Sequence, residues 1–144
     1  MTNILQIEDP SGAVQKSIYA LLKAAITDQG GPEILDTPPT GTPRPYINIG
    51  EGVSVPNNTK DIAGRRVTLT IHAWSEAPGY KELKEITAKI ENAVTGGPLT
   101  PTGTDAQKFY FLNIETERSQ HFTDENGRTK HGTIDIAVEV QKVI

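Results

Sequence analysis

The stretch from Arg65 to Ser75 constrains the fold more than any other part of the chain. Aliphatic residues alternate there with polar or aromatic ones, in the order Val67, Thr68, Leu69, Thr70, Ile71, His72, Ala73 and Trp74. A period of two, with many β-branched residues and no internal Gly or Pro, predicts a β-strand. Its aliphatic face should meet a core. The other face carries an exposed Trp74, which favours a helix lid or a partner surface.

Composition limits the class of protein. The 144 residues predict a single domain over 1–144. A net charge of −4 provides no basic excess to neutralise phosphates, which argues against nucleic acid as the main ligand. The absence of cysteine excludes disulfides, thiolate metal sites and cysteine nucleophiles. No signal peptide and no membrane-spanning stretch are expected.

Two helices are predicted. Asp9 should cap the first, with Pro10 at its first position. Its apolar stripe comprises Val14, Ile18, Leu21, Leu22 and Ala25, and it should end near Asp28, before Gly30-Gly31-Pro32. The second helix should run from about Gly79 to Thr95 and stop at Gly96-Gly97-Pro98.

The remaining strands surround the central one. We predict a short edge strand at Glu33-Ile34-Leu35, a strand from Tyr46 to Gly50, and a long polar loop from Glu51 to Gly64. Two C-terminal strands, 108–118 and 132–141, should form a long hairpin. The expected fold is α+β: a mostly antiparallel sheet of about four to five strands, packed by two helices, with a projecting C-terminal hairpin.

The register of this hairpin can be predicted from its pattern. Even-numbered residues are apolar on both strands, and facing residues of an antiparallel pair share a face. A loop of Glu125-Asn126-Gly127 with Gly in the left-handed position fits this pairing. Asp124 should then face Arg128, Ile114 should face Val138, and Leu112 should face Val140. The polar residues 119–130 should project beyond the sheet.

The sequence shows no Gly-rich phosphate loop, no paired His at helical spacing and no nucleophile elbow. In the predicted register His121 faces His131, and two imidazoles could take a metal. Zinc sites usually need three or four ligands, so two exposed polar side chains are the simpler interpretation. His72 lies on another strand, and nothing in the sequence places it near the other two. No catalytic, cofactor or metal site is expected.

Several residues are instead candidates for an interface. Glu117 should oppose Asp135, an unfavourable pair that Arg65 or Arg66 of another subunit could relieve, or Arg118 of the same chain. Phe122, on a polar hairpin, is either an ordinary exposed residue or an interface anchor. The interface candidates are Arg65, Arg66, Trp74, Phe122, Asp124 and Arg128.

The order of these elements resembles the tail-completion, or tail-terminator, proteins of long-tailed bacteriophages and related gene-transfer particles. The matching motifs are Pro45 to Gly50, the strand ending in His72-Ala73-Trp74-Ser75, the helix around 81–90, and the Asp124-Glu125-Asn126-Gly127 hairpin returning through His131-Gly132. The resemblance covers roughly residues 10 to 142.

The resemblance implies a non-enzymatic structural protein of the virion. Such proteins form a ring, typically of six subunits, at the head-proximal end of the tail. The ring terminates the tail tube and meets the head connector or stopper protein, and DNA only passes through its lumen. The implied protein has no cofactor and no membrane association, and it assembles in the host cytoplasm.

Two alternatives to this interpretation remain open. The chain could be another neck component of similar fold, such as a head–tail adaptor. It could also be a small metal- or ligand-binding domain that uses His72, His121 or His131.

Overall fold

A computed structural model describes residues 5–96 and 98–144. It contains two α-helices, α1 (Ser11–Ala25) and α2 (Lys81–Thr95), and five strands. The strands are β1 (Glu33–Leu35), β2 (Tyr46–Pro56), β3 (Gly64–Ser75), β4 (Phe109–Thr123) and β5 (Lys130–Lys142). Two short 3-10 helices, Thr27–Gln29 and Gly103–Gln107, lie in the connections. The expected α+β class is confirmed.

All five strands form one sheet in the order β1-β2-β3-β5-β4. The stretch around 65–75 is therefore the central strand, as predicted. β1 pairs parallel with the start of β2, and every other pair is antiparallel. The edge strand at Glu33–Leu35 is confirmed.

Both helices pack on the same face of the sheet. The alternating residues Val67, Leu69, Ile71 and Ala73 of β3 are at most 3% exposed there. Neighbouring strands add Ile47, Ile49, Ile134, Ile136, Val138 and Val140 to this core, and the helices add Val14, Ile18, Leu22, Leu83, Ile86, Ile90 and Val94. α2 comes so close to β5 that a Cβ on Gly132 would lie 3.0 Å from Thr87 Cγ2 and 3.2 Å from Leu83 Cδ1.

The helix ends differ slightly from the prediction. α1 begins at Ser11, with Pro10 as the residue before it, so the predicted start at Pro10 is one residue early. The Asp9 carboxylate accepts hydrogen bonds from the Ser11 amide (3.0 Å) and hydroxyl (2.7 Å), which lower its pKa. At the end of α2, Gly97 of the predicted stop lies outside the described residues.

β2 is longer than predicted, so the predicted loop from Glu51 to Gly64 is confirmed only for residues 57–63 and is wrong for Glu51–Pro56. The strand continues to Pro56 and pairs with β3 as far as Arg65. A bulge between Ile49 and Gly52 interrupts the ladder. The two glycines flanking Glu51 therefore mark a bulge inside a strand, which is a recognised use of strand glycine.

The hairpin register is correct only in its middle. Ile114 faces Val138 as predicted, but bulges between Phe111 and Asn113 and between Thr116 and Arg118 shift the pairing on either side. The predicted pairs Leu112–Val140, Glu117–Asp135 and His121–His131 are wrong. Their observed counterparts are Phe111–Val140, Arg118–Asp135, His121–Gly132 and Phe122–His131.

The tip of the hairpin also differs. The Asp124 amide donates to the Thr129 carbonyl (2.8 Å), so Asp124 faces Thr129 rather than the predicted Arg128. β5 remains paired with β3 up to Lys130. The part of the hairpin that extends past β3 is therefore the turn at 124–129.

Candidate interaction surface

The sheet face opposite the helices carries the polar and aromatic half of each strand. We call it the open face, because neither α1 nor α2 packs on it. Its residues on β3 are Arg66, Thr68, Thr70, His72 and Trp74, and none of these is fully buried. Its residues on the other strands are Tyr46, Asn48, Val53, Val55, Asn113, Glu115, Arg118, Gln120, Phe122, His131, Thr133, Asp135, Ala137 and Glu139.

An aromatic row crosses four strands at one end of the open face. Tyr46, Trp74, His131 and Phe122 are direct register partners on β2, β3, β5 and β4. The Trp74 and His131 rings stack with centroids 3.7 Å apart and planes 9° apart. Phe122 meets His131 edge-on at 4.6 Å, and Tyr46 lies 6.2 Å from Trp74. Such contacts stabilise beyond the area they bury.

The row corrects the expectation of an exposed Trp74 and adds a contact for Phe122. Trp74 is half-buried, and its indole N–H donates to Asn48 Oδ1 (2.8 Å). Phe122 is 40% exposed, and its ring contacts His131. Both side chains therefore belong to one continuous surface.

His72 lies next to this row and contacts His131. Its Nδ1 is 2.7 Å from His131 Nε2, and its Nε2 is 3.2 Å from Glu51 Oε2. This contact was not predicted from the sequence. Burial, and then the neighbouring His72, lower the pKa of His131 to about 4. A backbone hydrogen bond and the His72 ring hold the pKa of Glu51 below its usual value.

Gly50 makes room for the His72 ring. A Cβ added to Gly50 would lie 2.6 Å from two ring atoms of His72, closer than real Cβ contacts allow. The bulge and its glycine thus seat the imidazole against the β2 backbone, where Glu51 can reach it.

An ionic cluster occupies the other end of the open face. Arg66 contacts three carboxylates, those of Glu117 (2.6 Å), Glu115 (3.1 Å) and Glu139 (3.5 Å). The first two raise the pKa of Arg66. Arg66 therefore neutralises Glu117 within its own chain.

Asp135 is also paired within the chain. Arg118 Nε lies 3.8 Å from Asp135 Oδ2, and the Thr70 hydroxyl donates to Asp135 Oδ1 (2.8 Å). Because Asp135 faces Arg118 and not Glu117, the repulsion predicted between the two carboxylates does not arise.

The remaining predicted interface residues lie elsewhere. Arg65 donates to Ser54 Oγ (3.3 Å) and lines a groove of about 590 Å³ with the segment 5–8. Asp124 and Arg128 lie in the hairpin turn, where the Asn126 side chain accepts from the Arg128 amide (2.8 Å). The structure thus brings Arg66, Trp74 and Phe122 onto the open face and leaves the other three off it.

His121 and His131 do not face each other as they would in the two-imidazole site considered from the sequence. His121 lies on the helix side, with its Nε2 2.9 Å from the Thr87 hydroxyl, whereas His131 lies on the open face. Within residues 5–96 and 98–144, no group of three or more His, Asp or Glu side chains is arranged to hold a metal ion. No helix in the described part of the chain is long and apolar enough to cross a membrane.

Comparison with known proteins identifies the family of this chain. The family model for tail completion protein gp17 matches residues 16–141. The tail completion protein gp17 of Bacillus phage SPP1 is 31% identical over 104 residues, which cover 72% of this chain and 73% of that protein. The chain belongs to the tail completion protein gp17 family. The resemblance inferred from the sequence is confirmed, and the family is one of structural tail proteins rather than known enzymes.

Solved structures share the fold. The structure of the bacteriophage SPP1 gp17 protein matches with a TM-score of 0.56 and 25% identity, over 93% of this chain and 90% of that one. A chain from the virion of a native gene transfer agent particle matches with a TM-score of 0.76 over 90% of this chain and 96% of that one. At 19% identity, the second match shows a common fold.

Proposed function

We propose that this tail completion protein is a non-enzymatic virion component that forms a ring, typically of six copies, at the head-proximal end of the tail. In this proposal the ring terminates the tail tube and provides the surface on which the head connector or stopper protein docks.

The observation that supports this proposal most directly is the open face in a member of this family. Within residues 5–96 and 98–144, no helix packs on one whole side of the sheet, from Tyr46 to Phe122. Its side chains are fixed by one another, as in the aromatic row and the ionic cluster, and do not surround a cavity. A preorganised but uncovered surface suits contacts with other proteins or with a lumen.

The charge of the open face suits a lumen. Five carboxylates and two arginines lie on the strands of this side, namely Glu51, Glu115, Glu117, Asp135, Glu139, Arg66 and Arg118. An acidic wall repels the phosphate backbone, so DNA could slide past it without being held. This orientation is part of the proposal, and a ring structure with a strongly basic bore would contradict it.

Particles made without this protein test the proposed position. Loss of a tail terminator should give tails of uncontrolled length that are not joined to heads, and electron microscopy measures both. Tails of normal length that merely fail to join would indicate a head–tail adaptor instead. Normal infectious particles would refute both assignments.

The ring itself is tested separately. Light scattering after size exclusion measures the mass of the purified protein, and cryo-electron microscopy of tails counts the copies at the head-proximal end. Several copies arranged around the tail axis support the proposal. A single copy per tail would refute it.

A further inference from the structure

The sheet has two free edges. β4 is an outer strand along all fifteen residues, because in the described part of the chain it pairs with β5 on one side only. β2 is covered by β1 only at Tyr46–Asn48, so within the described residues its edge is unpaired from Ile49 to Pro56. Long unpaired edges are templates for strand pairing between chains.

Bulges bound a short regular segment on each edge. Beyond its bulge, β2 has a regular segment from Gly52 to Pro56. Between its two bulges, β4 has a regular segment from Asn113 to Thr116. Following the register across β3 and β5 places Val53 in the same row as Glu115, and Val55 in the same row as Asn113. The two segments thus lie at the same height on opposite sides of the sheet.

The directions of the strands also match. β2 and β4 run in opposite directions, because β3, β5 and β4 alternate in antiparallel order after β2. If a second copy is placed beside the first in the same orientation, its β2 lies antiparallel to β4 of the first. Head-to-tail repetition of this contact is the heterologous arrangement that closes into rings.

The two edges carry a pair of exposed valines and one pair of opposite charges. Val53 and Val55, on the same face of β2, are 62% and 44% exposed. Glu51 at the β2 bulge and Arg118 on β4 both lie in the row of Thr70 and Asp135. Within one chain they are three strand spacings apart, about 14 Å, but between adjacent copies they would be neighbours of opposite charge.

We propose that the Gly52–Pro56 segment of one copy pairs antiparallel with the Asn113–Thr116 segment of the next copy, with Glu51 facing Arg118. This inference rests on the proposed ring and names its subunit contact.

Disulfide trapping tests the contact cleanly, since the chain has no cysteine of its own. A cysteine at Val53 is combined in turn with one at Asn113, Glu115 or Glu117, which allows for a shift in register. Tails carrying each variant are oxidised and the protein is separated on a non-reducing gel. The matched control combines Val53→Cys with Tyr19→Cys, an exposed position on α1 that lies on neither edge.

The expected result is a ladder of covalent multimers reaching the ring size for at least one β2–β4 pair, and at most dimers for the control. If several copies are present in the tails and no β2–β4 pair gives a ladder, the contact is refuted and the ring stands. If only one copy is present per tail, the ring and the contact both fail.

A charge exchange provides a second test that does not depend on disulfide geometry. Glu51→Arg and Arg118→Glu should each assemble at severalfold higher concentration than the parent, because like charges then meet at every contact. Equimolar mixing should restore assembly, since a copy with two arginines can alternate with a copy with two carboxylates. Mixing that restores nothing, when each single variant is folded by circular dichroism, would refute the facing of Glu51 and Arg118.

Discussion

β3 presents aliphatic side chains to the helices on one side and polar or aromatic side chains to the open face on the other. On the covered side, Ile71 and its neighbours are buried among other hydrophobic side chains, and their contacts are all apolar and non-directional. On the open side, Trp74, His72 and Arg66 each have particular partners at particular atoms. The covered face therefore stabilises the domain, whereas the open face holds a defined arrangement of chemical groups. The following predictions test this division, beginning with the largest effect.

Ile71→Ala should lower the free energy of unfolding by about 2–5 kcal/mol, the usual range for a buried Ile, because the side chain is 0% exposed. Its neighbour on the open face supplies the matched control. Thr70→Ala removes one hydrogen bond to Asp135 and should cost about 1 kcal/mol. Urea denaturation of both variants measures the difference. Equal losses would contradict the assignment of stability to the covered face.

Trp74→Ala should lower the free energy of unfolding by about 2–3 kcal/mol. This loss is smaller than for a fully buried aromatic residue, because the Trp74 ring is half-buried. It removes the stacking partner of His131 and should raise the pKa of that histidine, since burial is the main cause of its low value. Trp74→Phe keeps an aromatic face on His131 and loses the bond to Asn48, so about 1 kcal/mol is expected. Thermal unfolding followed by circular dichroism and imidazole titration by NMR check the two effects. An unchanged His131 pKa in Trp74→Ala would show that the stack does not shield it.

The sequence predicts the covered face well and the open face poorly, for a physical reason. Alternation with period two identifies Val67, Leu69, Ile134 and Val138 as buried, because burial depends only on which side a residue faces. Contacts on the open face depend on which residue lies opposite. That register passes through bulges at Leu112 and Glu117, where the apolar pattern of β4 does not reveal an extra residue.

Two further features differ from the sequence prediction. Gly50 and Gly52 suggest a loop, whereas this segment is part of β2. The alternation of Val53, Ser54 and Val55 was the sequence signal that the strand continues. The contact between His72 and His131 requires knowing that β3 pairs with β5 rather than only with β2. The presence of alternating aliphatic residues on both β3 and β5 favours such pairing but does not fix which residues meet.

The His131 ring should make stability depend on pH. Its pKa is about 4 in the folded protein, against an ordinary value of 6.5, so the unfolded chain binds the proton more tightly. The contribution is complete above pH 6.5 and is lost as the pH falls from 6.5 toward 4. Because the open face is partly solvated, we expect the free energy of unfolding to fall by about 2 kcal/mol over this pH range, less than the full pKa shift would give.

His131→Phe isolates this contribution, since it keeps a ring between Trp74 and Phe122 and cannot titrate. Stability measured by urea denaturation at several pH values between 4 and 6.5 should vary less in this variant than in the parent. The acidic groups that face His131, Glu51 and Asp124, are retained in both proteins. If the free energy of unfolding changed equally with pH in both proteins, groups other than His131 would be responsible for the pH dependence.

The smallest expected effect concerns the ionic cluster. Arg66→Gln should cost about 1 kcal/mol, the upper end for a partly exposed ion pair, because it leaves Glu115, Glu117 and Glu139 without their shared cation. Arg118→Gln is the control, because its single contact to Asp135 is 3.8 Å long and its side chain is 64% exposed, so less than about 0.5 kcal/mol is expected. Repulsion among the three carboxylates is screened by salt, so the deficit of Arg66→Gln should shrink between low and high ionic strength in urea denaturation. A deficit independent of salt would mean that Arg66 stabilises the sheet through the packing of its side-chain stem, and the open face would then resemble the covered face at this end.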